Sequence, residues 1–482
     1  MDEDLRELVW SGTAEANPWW RTGLVPPERG AVFRRHAFDA IFATLRGAER
    51  GRGVVVLGPR RVGKTVLVHQ LAEQLLREGV PPRDVWLLPL DDVALRDRDI
   101  GELLELIRAR LGETERVRYL LLDEVQRSRD WSGWLKRIAD RRDPFVFFAT
   151  GSSATALRRG GQDAGLGRWR EMTLFPWSFR EHVHLRGLSS WTFTLQDDLE
   201  AVETPEERDA VLRRLGPPPP VEMERLEGAL VDYLIRGGFP EAATAADPAE
   251  ARRRLRQDIL DRSLGRDVLD VADADPRTLE RLFLRICLTP GGLWNESEVS
   301  RELQVSRPTV ARYLRILEEA FLVFRFPNLA SPVKGQPKVY LVAPSLRQAL
   351  LGSTEDDVRK PEEWGRLVEN AIAAAVTGTR PDAAQIGFWR RGADECDVVV
   401  VDPRSSEYIE VKRSASRRVR GPERAAEALG FPGVASILGR DQRFSFVPST
   451  GGTVRFTQRL PAAAWLYGQR AAAGGTLRLR PS

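Results

Sequence analysis

The sequence predicts an α/β fold: a parallel sheet of five strands wrapped by helices, followed by a helical part and a second α/β part. Three observations carry that expectation. A glycine-rich loop sits between an apolar strand and an amphipathic helix near residue 60, apolar runs alternate with helical patterns up to about residue 180, and a pair of short strands with patterned acids appears at 395–413. The chain has 482 residues, long enough for roughly three or four domains of about 100 to 200 residues each.

The first apolar strand, Val54 to Leu57, leads into G-x-x-x-x-G-K-T at Gly58 to Thr65. That order of strand, loop and helix is what a phosphate cradle needs, because glycines let successive N–H groups point into one cavity at a helix N-terminus. Gly58, Arg61, Gly63, Lys64, Thr65 and Val66 are the expected ATP contacts, with Lys64 on the terminal phosphates and the Thr65 hydroxyl on Mg2+. A later run, YLLLDEVQ, ends in Asp123, expected to hold that Mg2+ through water, and Glu124, expected to polarise the attacking water. PFVFFATGSS then presents Thr150 and Ser152 as polar sensors of the terminal phosphate at the carboxyl edge of the sheet. DVWLLPLDD and REMTLFP complete five strands. The catalytic set on this basis is Lys64, Glu124 and Thr150.

With those pieces placed, the chain resembles the AAA+ type ATPases of bacteria and archaea that carry a helical and winged-helix middle and a restriction-endonuclease-like end. The likeness covers nearly the whole chain and rests on NPWW, GPRRVGKT, LDEVQ, TGSS, GLGRWREMTLFPWSFRE, GGFPE, KVYLV and the strand pair ECDVVVVDPRSSEYIEVKR. KVYLV is followed by Ala343 where that family's pattern usually has an aspartate. The resemblance implies an N-terminal segment packing on the core over 1–50, a P-loop AAA+ core over 51–180 and a helical lid over 181–275. It places a winged helix over 276–345 and a restriction-endonuclease-like domain over 346–482. It also implies that Arg168 is an arginine finger reaching a neighbouring subunit's nucleotide, hence self-association into a ring, expected to be a hexamer.

The residues of the middle region give their own signals. LGPPPPVEMERL breaks the chain with four prolines before a new helical pattern begins. WNESEVSRELQVSRPTVARYLRILEE has the spacing of a helix-turn-helix, with Val299, Leu303, Val310, Leu314 and Leu317 inward and the turn at Gln304 to Ser306. That leaves Arg307, Thr309, Arg312, Tyr313 and Arg315 nearer the outer face, where a helix can meet a DNA groove. Two strand-like runs, LVFRF and KVYLV, flank a loop with Lys334 and Lys338, which resembles a wing contacting DNA.

Near the end, alternation on a strand puts Glu410 and Lys412 on one face and Val411 inward. Asp397 can lie beside Glu410 if the strands pair, and Glu369 from the helical stretch EEWGRLVENAIAAAV can join them. A helix glutamate, an aspartate and E-x-K form the restriction-endonuclease pattern: Asp397 and Glu410 would hold Mg2+ and Lys412 would orient a water or steady phosphorane charge. An alternating E-V-K is also a common salt-bridging pattern on an exposed strand. Downstream, Arg413, Arg417, Arg418 and Arg420 offer a backbone clamp.

Composition bounds the rest. Hydrophobic residues at 42% and charged residues at 29% are ordinary for a globular chain, and no apolar run approaches the roughly 18 residues of a membrane span. The start, MDEDLRELVW, is acidic where an export signal would be basic, so a cytoplasmic location is expected. Two cysteines and four histidines give no zinc framework. The net charge of +4 decides nothing about nucleic acid, but only six of the 73 basic residues are lysine. Lys64 and Lys412 both fall where chemistry wants a compact ammonium rather than an arginine fork. Together these features predict an ATP-hydrolysing protein that binds and remodels or translocates on duplex or branched DNA. The alternatives are a nucleotide-dependent oligomerisation switch and an ATP-licensed, Mg2+-dependent nuclease.

Overall fold

Five strands, four of them almost wholly buried and the last partly exposed, make the parallel sheet of the first unit: β1 (Gly53–Leu57), β2 (Val85–Pro89), β3 (Arg118–Asp123), β4 (Phe145–Gly151) and β5 (Trp169–Thr173), in the order β2-β3-β4-β1-β5. The computed structural model describes residues 3–30, 33–112, 116–152, 167–189, 218–264, 274–380, 385–402, 406–412, 420–440, 445–448 and 453–469. Arg413, Arg417 and Arg418 lie outside them. β1 to β4 are near-continuous apolar runs because helices cover parallel strands on both faces. The crossovers include Lys64–Arg77, Ile100–Leu111 and Trp131–Arg141. Val54, Val56, Leu67, Leu71, Leu121 and Phe148 share one core. The order brings the carboxyl ends of β3, β4 and β1 side by side, so the loops leaving these three strands meet at one edge of the sheet.

β2 borders that sheet, and the N-terminal segment closes its outer row. The Asn17 side chain donates Nδ2 to Leu87 O at 2.8 Å and accepts from Leu87 N at 2.7 Å, standing in for a neighbouring peptide group. Trp19 and Trp20 each donate their indole N–H to Val85 O at 2.9 Å. The motif NPWW thus caps an edge strand whose open row would otherwise invite pairing.

Residues up to Leu174 and those from Phe175 onward form two compact units. In the second unit, helices Pro276–Leu288, Glu296–Leu303 and Arg307–Glu319 precede an antiparallel ribbon, β6 (Val323–Phe326) and β7 (Lys338–Leu341). Leu303 ends its helix, Gln304 turns in the left-handed region (φ 59°), and Ser306 caps the next helix by accepting from Thr309 N at 3.2 Å. Val299, Leu303, Val310, Leu314 and Leu317 are buried, as the helix-turn-helix spacing requires. Tyr313 departs from expectation: it is buried, and its hydroxyl accepts from Asp275 N at 2.7 Å. A tyrosine at that point of the helix can reach the preceding helix's cap, which outcompetes exposure.

The unit ends in a six-stranded mixed sheet: β8 (Gln385–Arg391), β9 (Asp394–Val401), β10 (Ser406–Lys412), β11 (Gly433–Gly439), β12 (Ser445–Pro448) and β13 (Val454–Pro461), ordered β12-β13-β11-β10-β9-β8. β8, β9 and β10 form an antiparallel meander, whereas β10, β11 and β13 run parallel. The long helix Pro361–Thr379 packs against β7, β9 and β10. One core runs from Leu226 and Leu230 through Leu317 and Val339 to Leu367, Val398 and Trp465, so the boundaries expected at 275/276 and 345/346 fall inside it. No helix among the described residues is long and apolar enough to cross a membrane.

Candidate functional site

Two clusters of charged side chains stand out, one in each unit. In the first, the loop after β1 passes through Gly63 (φ 101°) into the helix Lys64–Arg77, whose N-terminus faces the carboxyl edge of the sheet. Gly58 admits no side chain, since a Cβ there would come within 2.3 Å of Leu174 O. Lys64 is buried and donates to Gly58 O at 3.0 Å and Pro59 O at 2.9 Å. Thr65 donates Oγ1 to Asp123 Oδ2 at 2.7 Å, and Thr150 donates to the other Asp123 oxygen. Arg61 is exposed in the left-handed region, and Val66 is half-buried in the first helical turn.

Glu124 also adopts a left-handed backbone (φ 55°), which a non-glycine residue holds only when its surroundings fix it. Here its N–H donates to Thr150 Oγ1 at 3.0 Å, and Gln126 donates to its carboxylate and to Ser152 Oγ, the latter at 2.9 Å. Its Oε1 lies 4.0 Å from Lys64 Nζ. Burial would raise the Glu124 pKa, yet Lys64, Gln126, Ser152 and Arg60 together hold it below the usual carboxylate range. Glu124 is therefore an anion at neutral pH, as a base must be. Asp123 goes the other way: burial raises it, against the hydroxyls of Thr150 and Thr65. Gln126 was not singled out from sequence, although its place two residues after Glu124 was the available signal.

Arg168 stands just before β5, where Trp169 pairs with Gly53. That is the end of the sheet away from the loop, about 15 Å along five residues of strand. Its Nε donates to Asp140 Oδ1 at 2.9 Å.

The second cluster lines an open cleft of about 680 Å³ at the edge of the mixed sheet. β9 and β10 pair so that Val398 faces Ile409, which sets Asp397 beside Glu410, and Asp397 accepts from Val411 N at 2.8 Å. Val411 packs against the core, and Lys412 pairs with Glu410. Glu369 reaches the same place from its helix. Burial pushes Glu369 up to about 7, against the pull of Lys338, while burial and then the Asp397 charge push Glu410 up to about 7, against Lys412. Glu410 is 7% exposed, and its Oε2 has no hydrogen-bond partner among the described residues. A Cβ at Gly421 would come within 1.8 Å of Glu395 O, and 3.0 Å of Glu410 Oε2, so only glycine fits against this wall.

Lys338 requires a correction. Expected in a DNA-contacting loop, it is instead the first residue of β7, only 4% exposed, with Nζ 2.9 Å from Glu369, 2.7 Å from Glu395 and 3.6 Å from Asp397. The ribbon register, Phe326 to Lys338, and the parity it shares with Tyr340 turn both side chains toward Glu369, to which Tyr340 Oη donates at 2.8 Å. Burial opposes the ammonium, but Tyr340, Glu369, Asp397 and Glu395 outweigh it and hold Lys338 well above the usual lysine range. Glu395 was the other member missed from sequence. The remaining expected DNA contacts are on the surface: Arg307, Arg312, Arg315 and Lys334 are exposed, and Thr309 is half-buried.

Comparison with known proteins gives two family matches. Residues 50–183 match an AAA domain, and residues 227–357 match a domain of unknown function, DUF8612. An uncharacterised protein of Haemophilus influenzae is 25% identical over 71% of this chain and 80% of its own length. One from Methanocaldococcus jannaschii is 26% identical over 66% of each. Among solved structures, the Aeropyrum pernix ORC1 protein in complex with DNA is slightly similar, with 14% identity and a TM-score of 0.28 over 70% of this chain and 96% of its own.

Proposed function

We propose that the chain hydrolyses ATP with Mg2+ in its first unit and uses that cycle to remodel or move along DNA bound by its second unit. The observation that carries the hydrolytic half is the meeting of Lys64, Thr65, Asp123, Glu124 and Thr150 at the carboxyl ends of three neighbouring strands. The residues present fit both groups: backbone N–H donors at a helix N-terminus suit phosphate, and the hard oxygens of Thr65 and Asp123 suit Mg2+. ATP with Mg2+ supplies the phosphoanhydride and its charge neutralisation. Lys64 exchanges two loop carbonyls for phosphate oxygens, Thr65 and Asp123 hold the cation, and Thr150 keeps Asp123 and the Glu124 backbone in register. Glu124 accepts a proton from the attacking water. Arg168, remote from its own loop along the sheet, serves a neighbouring subunit's nucleotide in a ring, and Asp140 holds it extended until then.

The DNA half rests on the exposed arginines of the helix Arg307–Glu319, followed by a two-stranded ribbon as in a winged helix. A second reading, favoured by the unpartnered Glu410 Oε2, takes the cleft as a nuclease site of restriction-endonuclease type. Its Mg2+ would be held by Asp397 and Glu410 and would act as a Lewis acid on phosphate, with Lys412 steadying the developing charge.

The test is ATP turnover by the wild type, Glu124→Gln and Glu410→Ala, with and without duplex and branched DNA at low salt, scoring cleavage in the same tubes. DNA-stimulated turnover lost in Glu124→Gln and kept in Glu410→Ala is expected. Flat rates and no DNA binding would discard the DNA half and leave a nucleotide switch; nicking lost in Glu410→Ala would establish the second reading.

A further inference from the structure

The acidic cleft already contains a cation. Lys338 Nζ sits within 4 Å of the carboxylates of Glu369, Glu395 and Asp397, as many acids as the ammonium has N–H donors. Its surroundings are built for it: Tyr340 Oη donates to Glu369, and Gly291, at φ 76°, leaves no Cβ where one would stand 3.1 Å from Glu369 Oε1 and 2.8 Å from Tyr340 Cε1. The strand that carries Lys338 is clipped in place, because Asn370 accepts from Leu341 N at 2.9 Å and donates to Leu341 O at 2.8 Å. The cleft lining gathers five acids, Glu369, Asp394, Glu395, Asp397 and Glu410, with Lys412, Arg366 and Arg420 beside them, and Lys338 stands against three of those acids. Among the described residues, no group of three or more His, Cys, Asp or Glu is arranged to hold a metal ion. Glu410 Oε2 is buried, on the cleft wall and without a hydrogen-bond partner among the described residues.

We propose that Lys338 is a resident cation. Its ammonium fills a divalent-cation position bounded by Glu369, Glu395 and Asp397, and the cleft therefore takes a free divalent cation only on its Asp397–Glu410 side. The second half of that statement rests on the nuclease reading; the first does not. Hard carboxylate oxygens in this number are the donor set of Mg2+ or Mn2+, and where sites take two divalent cations these stand about 3.5–4 Å apart. A fixed ammonium in one of two such positions supplies a single charge that cannot dissociate, and it makes the cation requirement of the cleft one ion rather than two.

The experiment counts Mn2+ bound by the full chain without nucleotide, by calorimetry and Mn2+ electron paramagnetic resonance, in the wild type, Lys338→Met and Lys338→Met with Glu369→Gln. One additional Mn2+ per chain in Lys338→Met, removed again by Glu369→Gln, is expected, together with a rise in Tm on adding Mn2+ that exceeds the wild-type rise. Equal counts in the wild type and Lys338→Met would overturn the proposal. A wild type that binds no Mn2+ at the cleft would instead sink the nuclease reading, whatever Lys338→Met does, since the proposal stands on the difference and that reading on the wild-type count. Should Lys338→Met fail to fold alone, refolding in Mn2+ but not in matched NaCl supports the proposal, and failure in both overturns it.

Discussion

Lys64 and Lys338 are both buried ammoniums beside carboxylates, and they differ in what holds them. Lys64 is satisfied by two neutral loop carbonyls and keeps Glu124 at 4.0 Å. Lys338 is held by three carboxylates, two of them within 3 Å. Neutral acceptors are exchanged for phosphate oxygens at little cost, because a bond to a charged acceptor is worth more than a bond to a peptide. Full ionic partners are not surrendered that way: separating them leaves buried charges unpaired. The same residue type is thus poised for an incoming polyanion in one unit and self-neutralised in the other.

The contrast can be broken at several points. Glu124→Gln removes the base and keeps the fold, so turnover in single-cycle ATPase assays should fall by about 10²–10⁴ while nucleotide affinity persists. Turnover within tenfold of wild type would mean that another group takes the proton. Lys338→Met leaves the acids of the cleft facing one another, and urea unfolding in EDTA should show a loss of about 3–5 kcal/mol. A loss below 1 kcal/mol would place Lys338 among ordinary surface pairs and erase the contrast. Tyr340→Phe withdraws a neutral donor from Glu369 and should cost about 1.5–3 kcal/mol in the same unfolding assay. The smallest effect concerns DNA: Arg312→Ala and Arg315→Ala should each reduce the salt dependence of binding by about one counterion, whereas Lys338→Met, assayed where circular dichroism shows it folded, should not. If Lys338→Met weakened DNA binding as the arginine variants do, the burial of Lys338 would not describe the working state.

The sequence disclosed what is local. The loop from Gly58 to Thr65, the acids ending β3 and the alternation of Glu410 with Lys412 are readable because each spacing maps onto one strand or one helical turn. Four strands of the first sheet, β1 to β4, were readable for the same reason, being near-continuous apolar runs, and β5 followed from its place after them. Lys338 was misjudged because its partners lie 31, 57 and 59 residues away, on a helix and a different sheet. Its scarcity was a usable signal, as one of six lysines, and so was the K-V-Y alternation that mirrors E-V-K. Tyr313 illustrates the reverse limit: helical spacing placed it near the surface, and one hydrogen bond to the Asp275 backbone drew it in. The boundaries expected at 275/276 and 345/346 came with the resemblance, and neither it nor the spacing within one motif reports that Leu317, Val339 and Leu367 share a core.

Asn17, Trp19 and Trp20 have a practical consequence for anyone producing the first unit alone. The AAA match begins at residue 50, and a fragment cut there would keep β2 but lose all three side chains that occupy its outer row. Such a fragment should polymerise edge to edge and elute in the void volume, while one beginning at residue 3 should run as a defined species. A stretch with no part in the chemistry is thereby the unit's solubility tag.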